Sequence, residues 1–139
     1  MSLNTEHLQR CVQTLESALV LLEQSPSDSI EYEVFRNAVV KGFELTLETS
    51  VKLLRKTLKL YFSSSKAVDQ LTFKDAFRHA AKHDLLTGEE VERWFIYRDN
   101  SNNTAHDYGE RFAETTLVLM PGFVEDAKRL EERLARGAD

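Results

Sequence analysis

The chain predicts an all-α, up-and-down helical bundle, and three observations predict it. Apolar residues recur at three- and four-residue spacing along the long segments, which is the period of one helix face. No segment sustains the period-two alternation of a half-buried strand. Pro occurs twice and Gly five times in 139 residues, too few breakers for a fold of many short strands and turns. With 42% hydrophobic residues, the length suits one domain with one core over residues 1–139. Neither an internal repeat nor a linker divides it. About five helices are expected.

Leu8, Val12, Leu15, Leu19 and Leu22 mark the first helix. The cluster Ser25-Pro26-Ser27-Asp28-Ser29 ends it and supplies N-caps for the next. The second helix is long, from about Ile30 to Phe62. Its stripe is Phe35, Val39, Phe43, Leu47, Val51, Leu54, Leu58 and Tyr61, and Ser63-Ser64-Ser65 stops it. Leu71-Thr72 opens a third helix, with Asp75 three residues after the cap. Phe73, Phe77, Ala80 and Ala81 give that helix its apolar side, up to about His83. Thr87-Gly88-Glu89-Glu90 is a fuller capping box, with Leu86 and Val91 as its hydrophobic staple. The fourth helix carries Val91, Trp94 and Phe95 to a polar junction, residues 97–108. A fifth segment starts at about Ala105. Pro121-Gly122 is expected to bend or split it, because Pro lacks a donor and crowds the preceding turn. Phe123, Ala127, Leu130 and Leu134 make the last stretch amphipathic.

Composition narrows the function classes. The formal charge of −5 opposes generic coating of nucleic acid, which needs a positive field. Lys52, Arg55, Lys56, Lys59 and Lys66 form a local basic cluster that reads as a solvated helix face. Cys11 is the single cysteine, so no internal disulfide forms and a reducing setting is the simplest. Met1 to Arg10 is polar, unlike a secretory signal. The best apolar run, Leu117 to Met120, falls far short of the roughly 20 residues of a membrane helix. A soluble, cytoplasmic protein with no membrane partner is expected.

Few groups suggest chemistry. His79 and His83 stand at i, i+4, a spacing that can bind zinc. Ala80, Ala81 and Lys82 fill the gap without a Glu, and no third ligand is recognisable. Cys11 falls in the pattern of the first helix and reads as a small core or boundary residue. No glycine-rich phosphate loop is present, and neither a metal nor a cofactor is called for. Glu44, Glu48 and Lys52 step by four on one helix face. They form either an ion-pair ladder or a polar row facing a cleft.

The junction Tyr97-Arg98-Asp99-Asn100-Ser101-Asn102-Asn103-Thr104-Ala105-His106-Asp107-Tyr108 holds the most chemistry. Thr104 and Asp107 match a capping box, and Asn tolerates turn conformations. Capping leaves Arg98, His106 and Tyr108 without a structural reason. An Arg at one helix end and a His in the next first turn can converge on one pocket. Free N–H groups at a helix start favour an anion such as phosphate. An imidazole suits acid or base work near neutral pH, here at His106 on a ribose hydroxyl. Arg98 suits holding a phosphate and stabilising its developing charge.

The string Gly42-Phe43-Glu44-Leu45-Thr46-Leu47-Glu48-Thr49-Ser50-Val51-Lys52 resembles the Phe-Glu-x-x-x-Glu-x-x-x-Lys helix of the nucleotidyltransferase substrate-binding proteins. Phe73-Lys74-Asp75-Ala76-Phe77-Arg78, Trp94 and the stretch from Arg98 to His106 follow in that family's order. The resemblance covers the chain from about Phe35 onward. It implies a small bundle of the HEPN superfamily, dimerising as a homodimer through helices that flank the junction. It also implies a separately encoded minimal nucleotidyltransferase as partner, with a nucleotide or RNA as ligand. Glu44, Glu48, Lys52, Asn102, His106 and Tyr108 are then the binding residues.

HEPN ribonucleases carry an Arg, a spacer of four to six residues, then His-x-Tyr. His106-Asp107-Tyr108 matches the second half. Seven residues separate Arg98 from His106, while Ser101 occupies the position that would give the four-residue spacer and Asn102 keeps the polar residue after it. By resemblance, His106 and Arg98 are the catalytic pair of a metal-independent ribonuclease toxin, and Tyr108 is an AMP acceptor. The leading expectation is a non-catalytic binding subunit of a two-component nucleotidyltransferase. The ribonuclease of a toxin–antitoxin pair and a plain helical dimerisation module are the alternatives.

Overall fold

The computed structural model describes residues 3–103 and 110–136. Six α-helices follow one another: α1 (Glu6–Glu23), α2 (Ile30–Leu58), α3 (Ser65–Asp69), α4 (Phe73–Lys82), α5 (Gly88–Asn103) and α6 (Glu110–Arg136). A 3-10 turn over Lys59–Tyr61 extends α2. There is no strand among the described residues, and no helix is long and apolar enough to cross a membrane.

The 29 residues of α2 span about 43 Å and form the spine of the bundle. Against it pack α1, α6 and α4, while α5 packs on α4 and α6. The periodic positions form the core: Leu8, Val12, Leu15 and Leu22 from α1, Val39, Phe43, Leu47, Leu54 and Leu58 from α2, and Phe123, Ala127, Leu130 and Leu134 from α6. Leu19, Phe35 and Val51 are half-buried against that core, and Tyr61, the last member of the α2 stripe, is exposed. A Cβ at Gly42 would meet the Leu15 side chain at 3.2 Å, so the glycine lets α1 and α2 approach closely.

The caps lie where side-chain chemistry places them. Ser29 Oγ accepts from the Tyr32 N–H (3.1 Å), and Thr72 Oγ1 from the Asp75 N–H (3.1 Å). The box before α5 is reciprocal: the Glu90 N–H donates to Thr87 Oγ1 (3.1 Å) and the Thr87 N–H to Glu90 Oε1 (3.0 Å). Glu90 does more than cap, because its buried carboxylate also pairs with Arg133 of α6. Burial pushes the Glu90 carboxyl upward, but bonds from Arg133 and Thr87 outweigh burial and hold it below its ordinary value of 4.5. A carboxyl lowered by folding stabilises the fold above its unfolded value and loses that contribution as pH falls through its folded value. Glu90→Gln is therefore expected to be less stable than wild type at pH 7, with the gap closing below pH 4.5. Denaturant unfolding of both chains across that range checks this, and a gap independent of pH would refute it.

Three elements differ from the sequence reading. Among the described residues the bundle has six α-helices rather than about five, because Ser64 caps a short helix instead of only ending the second one; its Oγ accepts from the Ala67 N–H (3.2 Å). Of the two outcomes expected at Pro121, splitting does not occur: the residue lies within α6, and the helix packs through Met120, Phe123 and Val124 across that point. Finally, α5 does not stop near Phe95. It continues to Asn103, so Tyr97 to Asn102 are helical rather than part of a turn.

Candidate cleft between α2, α4 and α5

Two tertiary bonds explain why α5 runs on. Tyr97 is buried, and its hydroxyl donates to Asp126 Oδ2 (2.5 Å) on α6. Asn100 is also buried, its Nδ2 donating to Thr116 Oγ1 (2.9 Å). Arg93 completes this face with a fork onto Asp126, Nε to Oδ2 and Nη2 to Oδ1, both 2.9 Å. Residues 93, 97 and 100 share one side of a helix, so α5 is pinned to α6 along that side. Burial and then the bond to Asp126 push the Tyr97 phenol well above the usual tyrosine range, and the same carboxylate raises the Arg93 guanidinium. Neither group changes charge near neutral pH.

Pinned this way, α5 turns Arg98 and Ser101 towards α2. There they close a cleft of about 580 Å³, within the size range of small-molecule sites. Glu44, Leu47, Glu48, Val51, Lys52 and Arg55 of α2 form one wall. Leu71, Thr72 and Phe73, at the start of α4, form another. The Glu44–Glu48–Lys52 row satisfies both of its readings. Lys52 Nζ lies 3.2 Å from Glu48 Oε1, with side chains 72% and 62% exposed, a solvated pair worth a few tenths of a kcal/mol. All three residues nonetheless line the cleft. Arg55 is held in place by donating from Nη1 to the Val68 carbonyl (3.0 Å). The Arg98 guanidinium lies over the Phe73 ring, 5.3 Å from its centroid.

The structure thus brings Glu44, Glu48, Lys52, Arg98 and Ser101 together, while Asn102 is exposed and outside the lining. His106 and Tyr108 fall outside the described residues, as do Thr104 and Asp107. Arg98 and Ser101, three residues apart on one helix, point into the same cleft. Sequence reasoning missed the α4 wall and the Asp126 anchor. The order of Phe73 and Arg98 was visible, but not their convergence.

The other candidates resolve into packing. His83 stacks on Tyr61 (centroids 4.0 Å, planes 11° apart), and His79 meets the edge of Phe62 (4.9 Å). Among the described residues no group of three or more His, Cys, Asp or Glu could hold a metal ion. Cys11 is half-buried, its Sγ 3.8 Å from both Thr49 Oγ1 and His7 Nε2.

Compared with known proteins, residues 3–136 match a family profile described as "Nucleotidyltransferase substrate binding protein like". A Haemophilus influenzae protein named probable ribonuclease HepT is 24% identical over 136 residues, which are 95% of this chain and 92% of that protein. A Haemophilus influenzae structure, described as revealing the fold of a substrate binding domain of a nucleotidyltransferase, superposes with a TM-score of 0.80 at 24% identity. That match covers 94% of this chain and 98% of the other. A Thermus thermophilus structure gives a TM-score of 0.73 at 24% identity, over 91% of this chain and 98% of the other.

Proposed function

Because the chain belongs to the nucleotidyltransferase substrate-binding-like family, we propose that it is the substrate-binding subunit of a two-component minimal nucleotidyltransferase. It is a cytoplasmic, non-catalytic module acting as a homodimer. The α2–α4–α5 cleft holds a nucleotide or nucleic-acid substrate for a separately encoded transferase. The observation that carries this reading is the convergence of Glu44, Glu48, Lys52, Arg55 and Arg98 on one cleft of about 580 Å³. Cations there suit phosphate, and carboxylates accept from hydroxyls. His106 and Tyr108 complete the proposed binding set, with Tyr108 as an acceptor of AMP from the transferase.

The ribonuclease reading is favoured by the His106-Asp107-Tyr108 match and by the name of the Haemophilus relative. In that case His106 is the acid–base and Arg98 holds the phosphate.

One preparation separates the readings. The tagged protein is purified from its native host, its companions are identified by mass spectrometry, and the bait is weighed intact. A small nucleotidyltransferase in the eluate is expected, and AMP on Tyr108 would assign the acceptor. No transferase, together with metal-independent RNA cleavage that His106→Ala abolishes, would replace the proposal with the ribonuclease. Neither would leave a dimerisation module.

A further inference from the structure

Three rings run from the cleft into the core. Phe73, half-buried on the cleft wall, stacks on Phe77 with centroids 4.5 Å apart and planes at 29°. Phe77 stacks in turn on Trp94 at 5.2 Å and the same angle, and both of these are fully buried. The array is therefore rigid at its inner end and ends in an accessible ring at the cleft. Over that ring stands Arg98.

A second aromatic–cation group on the outer surface shows why this one differs. Lys74 and Arg78 both lie over the Phe95 ring, at 5.3 and 5.4 Å. Each is also engaged by a carboxylate, Lys74 with Asp99 (3.9 Å) and Arg78 with Asp75 (3.1 Å). Arg98 has no carboxylate at ion-pair distance among the described residues, and it lines the cleft. Of these two groups, the Phe73–Arg98 pair alone combines a backed ring face, a planar cation with no carboxylate at ion-pair distance among the described residues, and an adjoining cavity.

The geometry points to Phe73 and Arg98 as a clamp for a nucleobase, deepening the proposed function by specifying how its ligand is recognised. A planar base between them needs about 7 Å, two contacts of roughly 3.5 Å. The pair now stands 5.3 Å apart, so Arg98 must rise by about 2 Å on an exposed, flexible stem. The base then stacks on Phe73 below and the guanidinium plane above. Across the cleft, Glu44 and Glu48 face the ribose hydroxyls, and Lys52 and Arg55 the phosphate. The ligand class is a nucleoside monophosphate unit, free or within an RNA strand.

Calorimetric titration of the full chain with AMP, ribose 5-phosphate and penta-adenylate tests the clamp. AMP is expected to bind at least several-fold more tightly than ribose 5-phosphate. Phe73→Leu, which keeps apolar volume but removes the ring, is expected to weaken AMP by about 5- to 100-fold and leave ribose 5-phosphate unchanged. Phe73→Trp should restore binding. Arg98→Ala, on an exposed residue that leaves the core intact, should weaken AMP as well. If penta-adenylate binds more tightly than AMP and is weakened by the same variants, the clamp stands and its ligand is a strand. AMP bound equally by wild type, Phe73→Leu and Arg98→Ala would overturn the clamp while leaving nucleotide binding intact. No binding of either AMP or penta-adenylate to wild type would also overturn it, even where a transferase copurifies and the broader proposal survives.

Discussion

Replacing Arg93 by Met is expected to destabilise the fold by about 3 kcal/mol, a magnitude set by the carboxylate it leaves behind. Asp126 is 1% exposed. It accepts two bonds from Arg93 and one from Tyr97, with Arg129 Nη1 further off at 3.4 Å. Removing one partner of a buried pair costs about 3–5 kcal/mol, mostly because a charge is stranded away from water. The lower end applies because Tyr97 and Arg129 remain. Met keeps the packing of the arginine stem, so the loss reports on charge rather than volume. The control is the triple variant Arg93→Met, Asp126→Leu, Tyr97→Phe, which removes the fork, the carboxylate and the phenol together and should recover most of the stability. Equilibrium unfolding in denaturant measures both. A single variant within about 1 kcal/mol of wild type, or a triple variant no better than the single, would refute this account.

Trp94 should give the other large effect. Its side chain is fully buried and touches Phe77, Tyr97 and Phe123 at centroid distances of 5.2, 5.6 and 5.7 Å. Trp94→Ala is expected to cost about 3–5 kcal/mol through lost transfer energy and the cavity that remains. Trp94→Phe should cost much less, about 1–2 kcal/mol. It leaves a smaller void and removes an indole N–H that is buried with no partner among the described residues, a group whose dehydration itself opposes folding. The same unfolding measurement decides the matter: a Phe variant as damaged as the Ala variant would mean that the N–H is satisfied and contributes.

What could be read from the sequence, and what could not, follows the range of the forces involved. Helix faces and caps are local: Leu8 to Leu22, Phe123 to Leu134 and the Thr87–Glu90 box all depend on residues three or four apart. The extension of α5 is not local. Asn100 and Asn102 favour turns by intrinsic preference, and bonds from Tyr97 to Asp126 and from Asn100 to Thr116, 29 and 16 residues away, override it. The site divides along the same line. Glu44, Glu48 and Lys52 share one helix face and were visible as a row. Phe73 and Arg98 lie on different helices, so their approach to each other awaited the fold.

A pair of bonds between the first and last helices bears on how such a module can be built. Thr5 Oγ1 and Gln9 Nε2 both donate to Glu131 Oε1, at 2.6 and 2.7 Å, fastening the opening turn of α1 to the closing turns of α6 across 126 positions. The topology is therefore almost a ring. Cutting it at the exposed Pro26-Ser27-Asp28 tip and joining a linker from behind Arg136 to the start of α1 would give a circular permutant that keeps the Arg133–Glu90 pair and the Leu134 packing, with the longest-range contact brought closer along the chain. It also means that a second domain joined ahead of α1 or behind α6 emerges from the same corner of the bundle.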